Sequence, residues 1–237
     1  MYKITSYYFL DNKSENTILY LHGWGCSLSY MMPMIKDIKA WNALVLDLPG
    51  FGKNGEFLSA KTYEQIADYI YVFIKENNFS INYIVGHSFG GKLAVYLANK
   101  LKINHLFLLS ASTYNKKRYP SYYIKVYLYK FIKHLFPNSK LLSFFGSKDY
   151  KSLNNIMKKT MSNVINYDVT NLLKTLNTPT TLIYANKDKI TPMYIAKKSK
   201  KKIKDSNIIS INGDHFAYLS NINYINKIIE SVVKYNG

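Results

Sequence analysis

Gly86-His87-Ser88-Phe89-Gly90 sets one serine between two glycines, after the apolar run NYIVGHS and before the helix-like GGKLAVYLANKL. Serine is a favoured helix N-cap, which is one reading of Ser88. The other is a G-x-S-x-G turn between strand and helix, which lifts the serine oxygen above the sheet edge as a nucleophile. A serine hydroxyl attacks poorly unless a base, usually His, takes its proton. The base in turn needs a carboxylate to fix its tautomer.

The chain offers five histidines: His22, His87, His105, His134 and His215. His87 adjoins the serine and should point elsewhere. His105 opens an apolar run, and His134 lies in a helix-like stretch. His215 follows the last apolar run, in INGDHFAYL, where a base could overhang Ser88. The carboxylate is expected at the end of the preceding run, LIYANKDKITP, which makes it Asp188. Asp214 is the competitor, but neighbouring side chains in an extended segment diverge. An attacked carbonyl also needs donors for its developing negative oxygen, each worth roughly 3–4 kcal/mol. The backbone N–H of Phe89, after the nucleophile, is one expectation. The Trp24 N–H in LHGWG is the other, with His22 expected to hold that loop rather than react.

These residues need a scaffold that brings run ends together. TILYLHG (17–23), NALVLDLPGFG (42–52), NYIVGHS (82–88), NHLFLLSAS (104–112), TTLIYANKD (180–188) and NIISING (207–213) read as strands. The segments 61–78, 90–101, 192–203 and 221–235 read as helices between and after them. Strands apolar on both faces and alternating with helices imply an α/β fold, a mostly parallel sheet covered on both sides. The alternation breaks once. Residues 113–176 hold no convincing strand, but helix-like stretches at 121–136 and 149–165. The expected organisation is therefore a core of 1–112 and 177–237 with an inserted helical cap at 113–176.

Composition narrows the class. A chain of 237 residues with 48% hydrophobic content suits one large domain. The formal net charge is +18, from 32 Lys+Arg against 14 Asp+Glu, and Arg118 is the single arginine. Lysines spread along the chain beside abundant Asn, Ile and Tyr point to biased composition rather than a nucleic-acid groove, and no nucleic-acid partner is expected. The cap's Tyr122, Tyr123, Lys125, Tyr127, Tyr129, Lys130 and Lys133 could meet an acidic carrier protein or anionic lipid. A solvated amphipathic helix is the plainer reading. One cysteine, Cys26, rules out an intrachain disulfide. The N-terminus lacks a signal-peptide pattern, and no run approaches the ~18 apolar residues of a membrane span. The expectation is a cytoplasmic protein with no transmembrane segment. No metal-ligand cluster or phosphate loop is visible, so no cofactor is expected.

LHGWG (21–25), LDLPGFG (46–52), VGHSFGGKLA (85–94), NKDKITP (186–192) and GDHFAYL (213–219) together resemble the α/β-hydrolase superfamily in order and separation. The resemblance spans nearly the whole chain. It is strongest to small bacterial esterase-type members with a helical cap, a group similar to the pimeloyl-carrier-protein methyl ester esterases. It implies a serine esterase acting on a small-molecule ester, with Ser88, Asp188 and His215 as triad and Trp24 and Phe89 as oxyanion donors. The alternatives are a carbon–carbon bond hydrolase or lyase on the same triad, or a non-catalytic ligand-binding module. A serine at 88 argues against the dehalogenase and epoxide-hydrolase branches, which resemble this fold but use Asp. The chain departs from the family at Ala185-Asn186, where glycine is common.

Overall fold

A computed structural model of the chain describes residues 2–115, 127, 128, 131 and 152–236. Seven strands form one sheet: β1 (Tyr7–Leu10), β2 (Thr17–Leu21), β3 (Asn42–Leu46), β4 (Tyr83–His87), β5 (His105–Leu109), β6 (Thr180–Ala185) and β7 (Ser206–Ile211). Their order is β1-β3-β2-β4-β5-β6-β7. Only β1 runs antiparallel, pairing Tyr7 with Leu46. The six parallel strands are those expected from the sequence. β1 is an addition: three of its four residues are exposed, so YYFL carries no buried-strand signature.

The described helices are α1 (Met32–Ile35), α2 (Tyr63–Glu76), α3 (Phe89–Lys100), α4 (Asn155–Asn166), α5 (Thr170–Thr175), α6 (Met193–Lys200), α7 (Ala217–Ser220) and α8 (Ile222–Asn236). Local chemistry sets their ends more tightly than apolar periodicity. The Thr62 hydroxyl accepts the Gln65 N–H while the Gln65 side chain accepts the Thr62 N–H, so α2 starts at 63. Such a capping box is worth about 1 kcal/mol. The Asn154 side chain accepts the Met157 N–H, which starts α4 at 155; positions 149–151 of the expected helix lie outside the described residues. The expected helix over 121–136 lies outside the described residues, apart from Tyr127, Leu128 and Phe131, which are exposed.

Every residue of β2 to β6 is buried, so each strand feeds two cores. Along β4, Ile84 faces the core under α2 and α3, while Tyr83 and Val85 face the one under α1 and α8. The return limb of the expected cap is tied to the first of these cores. Met157 and Val164 of α4 and Leu173 of α5 are buried within it. The tie includes a charge. Lys92, on α3, is 3% exposed, and its ammonium donates to the carbonyls of Val164 and Tyr167, both at 2.8 Å. These are terminal carbonyls of α4, which have no intrahelical donors. The Tyr63 hydroxyl closes over the same point by donating to the Lys92 carbonyl, and its ring stacks on Tyr167 at 4.3 Å.

Burial pushes the Lys92 ammonium down to about 8, against a smaller upward pull from Asp168. Between that value and the ordinary 10.5, the unfolded chain binds more protons than the folded one. Lys92 therefore makes stability rise with pH across this window. Urea unfolding at pH 8, 9 and 10 should show that rise in the wild type, and Lys92→Met should remove its share.

Candidate active site

The parallel strands end together, and the candidate residues sit on the turns that leave those ends. Ser88 follows β4 with φ 52° and ψ −113°, a conformation rarely adopted by residues other than glycine. Three backbone bonds hold it there: its N–H donates to the Leu109 carbonyl, and its own carbonyl accepts from Lys92 and Ser112. Its side chain makes no capping bond to α3, although Ser88 is the helix N-cap. The hydroxyl is instead 2.9 Å from Nε2 of His215.

On the other side of that ring, Nδ1 is 2.7 Å from Oδ2 of Asp188. A carboxylate only accepts, so Nδ1 carries the proton and Nε2 is left free to accept from Ser88. The structure thus brings Ser88, His215 and Asp188 into one hydrogen-bonded chain. Asp214 stays out of it: it is exposed, and its Oδ1 accepts the Phe216 N–H.

Asp188 is surrounded by donors. Oδ1 accepts the N–H groups of Ile190 (2.7 Å) and Thr191 (2.9 Å), and Oδ2 accepts the Thr191 hydroxyl (2.7 Å) as well as His215. Burial alone would raise its pKa. The bonds from His215 and Thr191 outweigh burial and hold the carboxyl well below the usual range. Its turn forms without glycine, because Asn186 supplies the bonds: its N–H donates to Ile211 and its side chain accepts from Gly213.

Thr191 is a residue that motif reasoning passed over. Its hydroxyl also reaches the Ser110 carbonyl (2.9 Å) and lies 3.1 Å from Nδ1 of His215. Its position three residues after the carboxylate, in an Asx-type turn, is the signal that could have found it.

The loop after β2 lies beside the serine. A Cβ at Gly23 would stand 3.3 Å from Cβ of Ser88 and 3.1 Å from Nδ1 of His87. His22 is buried and holds this loop. Its Nδ1–H donates to the Gly23 carbonyl (2.8 Å), and its Nε2 accepts the Leu48 N–H (2.9 Å). Burial lowers its pKa to about 4, so the ring is neutral. The Gly23 carbonyl also accepts from the Cys26 N–H. In a planar trans peptide the N–H points opposite to the C=O. Fixing the Gly23 carbonyl therefore turns the Trp24 N–H away from His22 and Cys26. Among the described residues, neither the Trp24 nor the Phe89 N–H has a hydrogen-bond partner, and Phe89 is the first residue of α3. Trp24, Phe51 and Phe89 pack edge to face next to them, with Trp24 4.8 Å from Phe51 and 5.3 Å from Phe89.

The remaining histidines do other work. His105 bonds the Thr181 hydroxyl (2.9 Å), and His134 lies outside the described residues. Cys26 is half-buried, and burial raises its thiol pKa. No three His, Cys, Asp or Glu side chains gather as metal ligands among the described residues.

A family model for the alpha/beta hydrolase fold matches residues 16–143, more than half of the chain. The chain belongs to the α/β-hydrolase family and is a hydrolase of the esterase type. A pimeloyl-[acyl-carrier protein] methyl ester esterase of Wigglesworthia glossinidia brevipalpis is 29% identical over 92% of this chain and 93% of its own. The dihydrolipoyllysine-residue acetyltransferase component of the acetoin cleaving system of Cupriavidus necator is 34% identical over 83 residues. That match covers 35% of this chain and 22% of the other, so the chain spans about a fifth of that relative. The solved esterase EaEST of Exiguobacterium antarcticum superposes with a TM-score of 0.74 at 18% identity, over 99% of this chain and 100% of that one. It shares the fold.

Thr191→Val keeps the shape but removes the hydroxyl from Asp188 and Ser110. Ester turnover should fall roughly tenfold or more, as for loss of a bond to a charged group. Thr191→Ser should retain most of it, measured as kcat on a p-nitrophenyl ester.

Proposed function

We propose that the chain hydrolyses carboxylic esters through a covalent acyl-enzyme on Ser88. The observation that carries this is the unbroken path from Ser88 Oγ through His215 to Asp188, at 2.9 and 2.7 Å. His215 Nε2 takes the serine proton as Oγ attacks the ester carbonyl. The Trp24 and Phe89 N–H groups receive the resulting oxyanion. His215 then protonates the leaving alcohol, activates a water and returns the proton to Ser88 as the acid departs. Asp188 keeps the proton on Nδ1 throughout and offsets the imidazolium charge.

The substrate in this reading is a small-molecule ester. The Wigglesworthia relative is named for a methyl ester on an acyl-carrier protein, and its alignment covers nearly the whole chain. A carrier-borne ester is therefore one substrate class to test here. An acidic carrier, or an anionic lipid, would have to dock at the strand ends that bear Ser88. The densest lysine run, 197–204, closes α6 and leads into the start of β7. A crossover helix runs antiparallel to its strands, so this run lies at the opposite edge of the sheet. No described helix is long and apolar enough to cross a membrane. With a single cysteine and no disulfide to protect, a cytoplasmic location fits this reading.

Ser88→Ala should lower p-nitrophenyl ester turnover on the order of 10⁵-fold with the fold intact. Fluorophosphonate should label wild type and not the variant. Wild-type turnover of a vinylogous diketone without ester turnover would move the reading to carbon–carbon bond hydrolysis. A folded, unlabelled wild type would favour a binding module.

A further inference from the structure

We propose that His87 is a positioning residue: its Nε2–H holds the main chain of His215 and thereby fixes the base between Ser88 and Asp188. The inference rests on the reading of Ser88 and His215 as the reacting pair. His87 is the last residue of β4, on the same strand face as Tyr83 and Val85, and it is 1% exposed. Its side chain therefore leaves the sheet on the side away from α3 and passes under the loop that bears His215. Nε2 lies 2.9 Å from the His215 carbonyl. A carbonyl oxygen has no proton to give, so the ring is the donor, and the Nε2–H tautomer follows.

What the bond restrains is specific. Around His215 the loop is tied through Gly213, whose carbonyl accepts the Lys187 N–H, and through Asp214, whose carbonyl accepts the Ala217 N–H. Among the described residues, His87 is the one partner of the His215 carbonyl itself. The two rings also touch, with centroids 4.8 Å apart, and the His87 ring packs on Tyr218 (4.6 Å) and Phe216 (5.3 Å). His87 meets the donor loop too, since a Cβ at Gly23 would lie 3.1 Å from its Nδ1. One side chain thus joins the nucleophile strand, the base loop and the oxyanion loop.

The ring does this in its neutral form. Its Nδ1 is buried without a hydrogen-bond partner, so a proton there would have no acceptor. The charged or titratable groups acting on it are His215, Asp188 and His22, and Tyr218 packs on its face. Burial first, then the His215 charge, push its pKa down to about 3. During the reaction it is thus a neutral wall beside the ring that becomes imidazolium. A lysine or arginine there would oppose that charge.

Three variants separate this role from simple packing. His87→Phe keeps a ring and loses the donor. His87→Gln places an amide N–H near the former Nε2. His87→Asn is too short to reach the carbonyl, and takes the place of His87→Phe if that protein fails to fold by circular dichroism. The fluorophosphonate labelling rate of Ser88 and kcat for p-nitrophenyl butyrate should drop roughly 10–100-fold in His87→Phe or His87→Asn, with KM within about twofold. His87→Gln should recover most of both. The midpoint of the acid limb of the labelling rate should move in the variants without the donor and return in His87→Gln. Nitrogen-15 shifts of the wild-type ring should show an Nε2–H tautomer that stays neutral down to about pH 5. A folded His87→Phe that labels at the wild-type rate, or an Nδ1–H tautomer, overturns the proposal while leaving the esterase reading in place. A folded wild type that fluorophosphonate does not label overturns the esterase reading, and this inference falls with it.

Discussion

The close crossing of β4 and α3 at Ser88 is the constraint on which the rest of the site depends. A Cβ at Gly86 would come within 2.6 Å of the Gly91 backbone, and one at Gly90 within 2.4 Å of the Leu21 and His22 carbonyls. Side chains there would push the helix off the sheet, so these positions take residues with none. The approach forces the turn between strand and helix to be completed in one residue, and Ser88 absorbs it at φ 52°. A left-handed serine costs of order 1–3 kcal/mol and persists only when its surroundings over-determine it. Here they do, through the bonds to Leu109, Lys92 and Ser112. The same geometry aims the hydroxyl away from the helix it would otherwise cap and, among the described residues, leaves the Phe89 N–H without a partner.

Given that turn, the histidines differ by what each is allowed to donate to. His22 gives Nδ1–H to a carbonyl, His87 gives Nε2–H to a carbonyl, and His215 gives Nδ1–H to a carboxylate. Burial drives the first two below the ordinary imidazole range, to about 4 and about 3. A carbonyl offers a hydrogen bond but little compensation for a full positive charge, so those rings remain neutral struts. Of the three, His215 alone hydrogen-bonds a carboxylate, which in the proposed reaction would support the imidazolium formed when a proton arrives from Ser88. In that reading the acceptor and not burial sets the three rings apart, since all three are buried.

Much of this was legible in the sequence because it is written in one-dimensional terms. Continuous apolar runs mark the six parallel strands, and chemistry-bearing residues fall just past their ends. The order Ser88, Asp188, His215 then follows from the order of the strands. What escaped depends on pairing across the chain. β1 is a four-residue edge whose aromatics are largely exposed, so neither alternation nor an apolar run announces it. Lys92 occupies a polar-looking helix position, yet it is buried because carbonyls 72 and 75 residues away accept its hydrogen bonds. Thr191 meets Asp188 locally, but its contacts with Ser110 and His215, like that of His87 with His215, span 24 to 128 residues, and no local pattern encodes those. The start of α2 moved from the periodic expectation because the Thr62–Gln65 capping box fixes it at 63.

The charge of the chain illustrates why composition says little about a site. A net +18 would seem to impose a strong positive field. Interactions between exposed charges fade over about 8–10 Å at ordinary ionic strength. The lysines that close α6 sit at the far edge of the sheet, across more than the length of that helix. A helix of eight residues alone spans about 12 Å. The buried Lys92 near the elbow donates its hydrogen bonds to carbonyls at the C-terminal end of α4. Among the described residues, the full charge in hydrogen-bond contact with His215 is Asp188, and four donors saturate it. A carboxylate satisfied in that way has no need to draw water or an external lysine. Its remaining electrostatic effect falls on the imidazole it contacts and on the neighbouring His87 ring, so in the proposed reaction the charge that matters to His215 is one held inside the fold.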